Sequence, residues 1–130
     1  MPLAAITRLR LRKLYTVPLF LIGAIRSKRQ ALSANGCLAA DVRMIGARVF
    51  WTRTLWRDTA AMREFMRSGA HRTVMPTLID WCDEASVADW ERDTLPEWSE
   101  AETKMRGNGR LSRVRHPSPA HARGETLPAD

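Results

Sequence analysis

The sequence predicts an α+β fold of the ferredoxin-like βαββαβ kind, with its second helix split in two and one helix appended. Three observations carry this. Residues 6–15 alternate arginine with aliphatic residues, a period of two. Two further β-rich runs, 37–45 and 49–56, are separated only by a turn around Gly46-Ala47. Between and after these strands lie helical stretches bounded by Asn35-Gly36, Asp58 and Gly69.

Taken in order, Ile6 to Tyr15 sets Thr7, Leu9 and Leu11 on one face and Arg8, Arg10 and Arg12 on the other. One charged face predicts a half-exposed strand. Thr16 and Pro18 suit a helix start, because proline tolerates a first-turn position where no amide donor is needed. That helix is expected to run to about Ala34, burying Leu21, Ile25, the stem of Lys28 and Leu32. A strand pair follows. Asp58 is a natural N-cap for the next helix, whose Met62, Phe65 and Met66 share a face, and Gly69 can end it in a left-handed conformation. A second helical piece spans about Arg72 to Cys82, with Pro76 required in its first turn to avoid a kink. Ala85 to Trp90 is the fourth strand, and Pro96 opens a last helix to about Met105. Residues 1–105 form one domain. Residues 106–130 are rich in Arg, Pro, Gly and Ser and predict an extended or disordered tail. Helices on one sheet face leave the other to be covered, commonly by a second subunit.

The chain of 130 residues carries a net charge of +7. Residues 1–79 hold 14 Lys/Arg against 3 acids, whereas residues 80–102 hold 9 acids against Arg92 alone. Opposed blocks can neutralise each other within a fold or across an interface, which argues against nucleic acid as the partner. The apolar run Leu14 to Ile25 is too short to span a bilayer and is interrupted by Pro18 and Gly23. Arg26, Lys28 and Arg29 follow it at once, unlike a cleavable leader. Cys37 and Cys82 lack metal-site spacing and read as reduced thiols of a cytoplasmic protein. No metal site is expected.

The segment FWTRTLWRDTAAMREFMRSGAH, Phe50 to His71, joins architecture to chemistry. His71 at or near a helix N-terminus would be held neutral by the helix dipole, fit to act as a general base or to ligate iron. It also reads as a core or capping histidine. Trp51 and Trp56 are an odd number of residues apart and must point to opposite faces, so at most one lines a cavity on a given side. Each tryptophan is either core or a flat wall for a ring system. Asp89, inside the fourth strand, is a pocket base or a solvent-facing acid. Asp80, Asp83, Glu84, Glu91 and Asp93 read as a solvated acidic surface matched to Arg8, Arg10 and Arg12.

On these residues the chain resembles the dimeric α+β barrel superfamily. Within it the resemblance is to antibiotic biosynthesis monooxygenase-like proteins and relatives near spheroidene monooxygenase. The elements carrying it are Leu55-Trp56 ending an aromatic strand, the acidic cap Asp58, Phe65, and Ser68-x-x-His71; the run Met75 to Val87 adds to it. The resemblance spans residues 4–105. It implies a homodimer with an apolar pocket between sheet and helices, and a small oxygenase acting on a large aromatic or polyene molecule. It implies His71, Asp89 and Tyr15 as catalytic candidates and Trp51, Trp56, Phe65, Met75 and Trp81 as substrate contacts. Some relatives need no cofactor, others use haem, for which His71 would be the axial ligand, and others have no known activity. The chain departs from haem-degrading relatives in lacking an asparagine on its first strand, and its one tyrosine is Tyr15.

Overall fold

The computed structural model describes residues 2–128, apart from the side chains of Ala70, His71 and Val74. Its strands are β1 (Leu3–Leu11), β2 (Cys37–Ile45), β3 (Val49–Trp56), β4 (Cys82–Glu91) and the short β5 (Arg110–Leu111). Its helices are α1 (Val17–Ser33), α2 (Thr59–Met66), α3 (Gly69–Trp81), α4 (Trp98–Asn108) and the short α5 (Pro119–Ala122). The sheet is antiparallel in the order β2-β3-β1-β4-β5, the ferredoxin-like arrangement with an added edge strand.

Local chemistry sets these boundaries. Asp58 accepts from the Ala61 amide at 2.8 Å and starts α2. Gly36 turns the chain into β2 at φ +91°, and a Cβ there would stand 2.6 Å from that of Ala61, so the turn needs glycine. Gly69, at φ +57°, joins α2 to α3. This early start makes α3 longer than expected and leaves Pro76 inside it rather than in its first turn. The carbonyl of Arg72, four residues earlier, therefore receives no bond from position 76.

The first strand is central, not half-exposed. Arg8 is only 2% exposed, and its guanidinium donates to Glu84 Oε1 at 2.8 Å. Arg10 donates to Glu84 Oε2 at 3.1 Å, and the Ser118 hydroxyl donates to the same oxygen at 2.7 Å. The acids at 83–84 thus belong to β4, which starts at Cys82 instead of Ala85 and pairs with β1 along its length. Glu84 is buried rather than solvated, because a cross-strand arginine sits opposite it.

One sheet face carries α1, α2 and α3. The cover expected for the other from a second subunit is supplied within the chain. Ala101 and Met105 of α4 pack on Ile6, Val49, Trp51 and Ala88. Trp98 lies against the guanidiniums of Arg43 and Arg53, at 4.5 and 4.4 Å from its ring centre. Residues 106–128 also take part in the fold. After β5 the chain passes from β4 to the end of α3, with the Ser112 amide donating to Ala85 O at 2.9 Å and the Arg115 amide to Ile79 O at 2.9 Å. The segment then rounds the sheet edge, where Ser86 Oγ donates to Thr126 O at 2.9 Å and Leu127 joins the core beneath α4. Its seating depends on buried polar groups of β4, which composition does not display.

α1 also differs from expectation. It buries Phe20 and Ala31, with Ala24 packed beside them, while Leu21, Ile25 and Leu32 face outward. Small residues let the helix approach the sheet closely, and the aliphatics are left on the far side.

Candidate functional site

Between the sheet and α1–α3 lies an apolar cavity of about 220 Å³. Alternation along the strands builds its floor. Thr52, Thr54 and Trp56 of β3 share the face that carries Thr7 and Leu9 of β1. The register sets Val42, Thr52, Thr7 and Val87 in one row across four strands, with two hydroxyls side by side at its middle. α1 roofs the cavity with Phe20, Ala24 and Ala31, α2 with Met62 and Phe65, and α3 with Met75 and Leu78.

Trp56 is held in place at both ends of its ring system. Its indole N–H donates to Thr54 Oγ1 at 2.9 Å, and its ring centre lies 5.1 Å from that of Phe65. Thr54 in turn donates to Ala5 O at 3.4 Å. Among the described residues, no protein group bonds the hydroxyls of Thr7 and Thr52, which leaves them for a ligand's polar atoms or for water.

Among the described residues, charge enters the lining at Lys28, Asp41 and Arg113. Asp41 takes Arg53 at 2.8 Å and Lys28 at 4.0 Å. Burial works against its charge, but the Arg53 hydrogen bond, the Val42 amide and Lys28 outweigh it and hold the carboxyl below its ordinary range. Arg113, from the segment after β5, is a second cation on the lining.

The structure sorts the candidates. Trp56, Phe65 and Met75 line the cavity. Trp51 does not: it lies beneath α4 on the opposite face, as the odd spacing from Trp56 requires. Trp81, at the end of α3, packs with Leu11, Phe20, Phe50 and Cys82 outside the lining. Tyr15 is 77% exposed in a 3-10 turn before α1, because the chain leaves the sheet there. Asp89 sits at the sheet edge and pairs with Arg110 at 2.7 Å, a strand neighbour absent from the expected fold. The His71 side chain lies outside the described residues; its backbone belongs to the first turn of α3, one turn ahead of Met75.

His71, the axial-ligand candidate for a haem, has its side chain outside the described residues. The described lining offers methionine thioethers and no imidazole, thiolate or phenolate. Among the described residues no three His, Cys, Asp or Glu are grouped to hold a metal. The Cys82 thiol is pushed up to about 12 by burial and by the charge of Asp83, so it stays protonated.

The residues that sequence reasoning missed are Thr52, Thr54, Lys28, Asp41 and Arg113. Period-two alternation through Trp56 could have found the two threonines. Arg113 could not be found, since it arrives through the tail.

No protein-family model and no curated protein matches the sequence. Solved structures match in fold. SnoaB from Streptomyces nogalater, described as a cofactor-independent oxygenase, superposes with a TM-score of 0.60 at 14% identity, over 74% of this chain and 98% of its own. Rv0793 from Mycobacterium tuberculosis gives 0.65 at 12% identity, covering 72% and 97%. A protein described as an antibiotic biosynthesis monooxygenase gives 0.64 at 16% identity, covering 71% and 99%. The chain is thus similar in fold to antibiotic biosynthesis monooxygenase-like proteins, and about a quarter of it extends beyond them.

Proposed function

We propose that the protein is a small oxygenase whose substrate is a flat, mainly apolar aromatic or polyene molecule held between the sheet and α1–α3. The observation carrying this reading is the cavity itself: apolar walls, a fixed indole at Trp56, and two adjacent hydroxyls at Thr7 and Thr52 that no described group bonds. The fold shared with SnoaB supports it.

In this reading the ring system stacks against Trp56 and Phe65, and a ligand oxygen accepts from Thr7 or Thr52. His71, in the first turn of α3, removes a proton from an activated C–H or O–H. The resulting anion is electron-rich and hands electrons to O₂. One oxygen atom enters the ring as a carbonyl and the other leaves as water. The apolar walls keep bulk water from quenching the anion.

Oxygen uptake with anthrone- and quinol-type substrates tests this. The wild type should consume O₂ and form the quinone. His71→Ala should lose about 100-fold or more in kcat, the usual share of a general base. Uptake unchanged in that variant would remove His71 from the mechanism.

One observation favours a second reading, a non-catalytic ligand-binding protein. Tyr15 and Asp89, which could have assisted His71, are both held away from the cavity. Saturable ligand binding without O₂ uptake would select it.

A further inference from the structure

The outer face of α1 is apolar where a water-facing helix is normally polar. Leu19, Leu21, Ile22, Ile25 and Leu32 are exposed there, and Leu14 prolongs the patch. Leu14, Leu21, Ile25 and Leu32 follow helical spacing, so they form one stripe. Such a patch on an isolated chain marks an interaction surface.

Charge chooses what covers it. Lys13, Arg26 and Arg29 are exposed on or beside the same face. No Asp or Glu precedes Asp41 in the chain, and Asp41 is engaged by Arg53 and Lys28. A second copy seated on this face would set Arg26 and Arg29 against their own counterparts, with no acid on the helix to neutralise them. An anionic surface would meet both the aliphatics and the guanidiniums. No described helix is long and apolar enough to cross a membrane, so the contact is parallel to the surface.

We propose that α1 lies on anionic lipid, with its leucines and isoleucines in the acyl boundary and Lys13, Arg26 and Arg29 at the phosphates. The inner face of the same helix roofs the cavity through Phe20, Ala24 and Ala31. A membrane-dissolved ligand would therefore meet the cavity wall without crossing water, a consequence that rests on the function proposed above. The docking itself does not depend on it.

Cosedimentation of the full chain with vesicles decides the matter, without any substrate present. Vesicles of equal phosphatidylglycerol and phosphatidylcholine should retain the protein, and phosphatidylcholine alone should not. Binding should fall as salt rises. Arg26→Gln and Arg29→Gln should each weaken it about fivefold, the equivalent of ~1 kcal/mol per cation. Ile22→Glu combined with Ile25→Glu should abolish it while thermal melting stays as in the wild type, since both residues are exposed. No retention on anionic vesicles would overturn the proposal, as would equal retention of the double variant. So would sedimentation velocity showing a wild-type dimer that the double variant dissociates, which would make this face an interface between copies. Retention on vesicles with no O₂ uptake would leave the docking standing and reject the oxygenase.

Discussion

At the scale of the residue, neighbouring acids on β4 have opposite fates. Burial works against the charge of Glu84, but Arg8, Ser118 and Arg10 outweigh it and hold its carboxyl below the ordinary range. Its stabilising share is present above the unfolded value and lost as pH falls through the folded one. Glu84→Gln should cost about 1–3 kcal/mol at neutral pH, since it removes the carboxylate that accepts from buried Arg8, from Arg10 and from Ser118. Urea denaturation across pH would show that difference shrinking in acid. Asp83 is pushed the other way, mainly by burial and also by the charge of Glu84, with Arg10 opposing from 3.8 Å. Its Oδ1 is buried with no hydrogen-bond partner among the described residues. A raised value favours the folded state only below the unfolded one, so Asp83 is a burden at neutral pH. Asp83→Asn should raise stability at pH 7, and the gain should vanish in acid. The same denaturation series checks it, and a loss of stability at pH 7 would refute the assignment. The tryptophans divide in a similar way. Trp51→Ala should cost about 3–5 kcal/mol of stability through the cavity it leaves under α4. It should leave ligand affinity of the folded protein unchanged, whereas Trp56→Leu should weaken binding at least tenfold in fluorescence or calorimetric titration.

Caps and faces are settled at the scale of the element. Asp58→Ala should cost about 1 kcal/mol by loss of the α2 cap, read from thermal melts. That cap, the turn at Asn35-Gly36 and the β2–β3 hairpin were all legible, because each rests on a local bond or a local φ. What the sequence hid was which side of an element faces inward. In α1 a hydrophobic stripe suggested the core, yet close helix-to-sheet packing selected Phe20, Ala24 and Ala31 instead. In β1 an arginine row suggested solvent, yet Glu84 lay opposite it across the sheet. Both outcomes depend on groups remote in sequence, and local periodicity carries no information about them.

At the scale of the whole molecule, α4 and residues 110–128 close the second sheet face and lend Ser112 and Arg113 to the cavity wall. The opposed charge blocks meet within the chain at Arg8–Glu84, Arg10–Glu84 and Arg43–Glu102. Truncation after Gly109 should therefore lower the melting temperature and open the β4 amides to hydrogen exchange; unchanged protection would mean the segment contributes little. Of the site, Trp56, Phe65 and Met75 were readable from the strand–helix pattern. The rim was not, because Arg113 reaches it from the far end of the chain. The central claim is that the cavity beneath α1–α3 holds the ligand. Calorimetric titration with an anthraquinone-type ligand tests it most directly, comparing the wild type with Met75→Trp, which fills the space from its rim. The account predicts saturable binding at one ligand per chain in the wild type, and its loss in a Met75→Trp variant that melts normally. Equal affinity in both, or no saturable binding to the wild type, would contradict it.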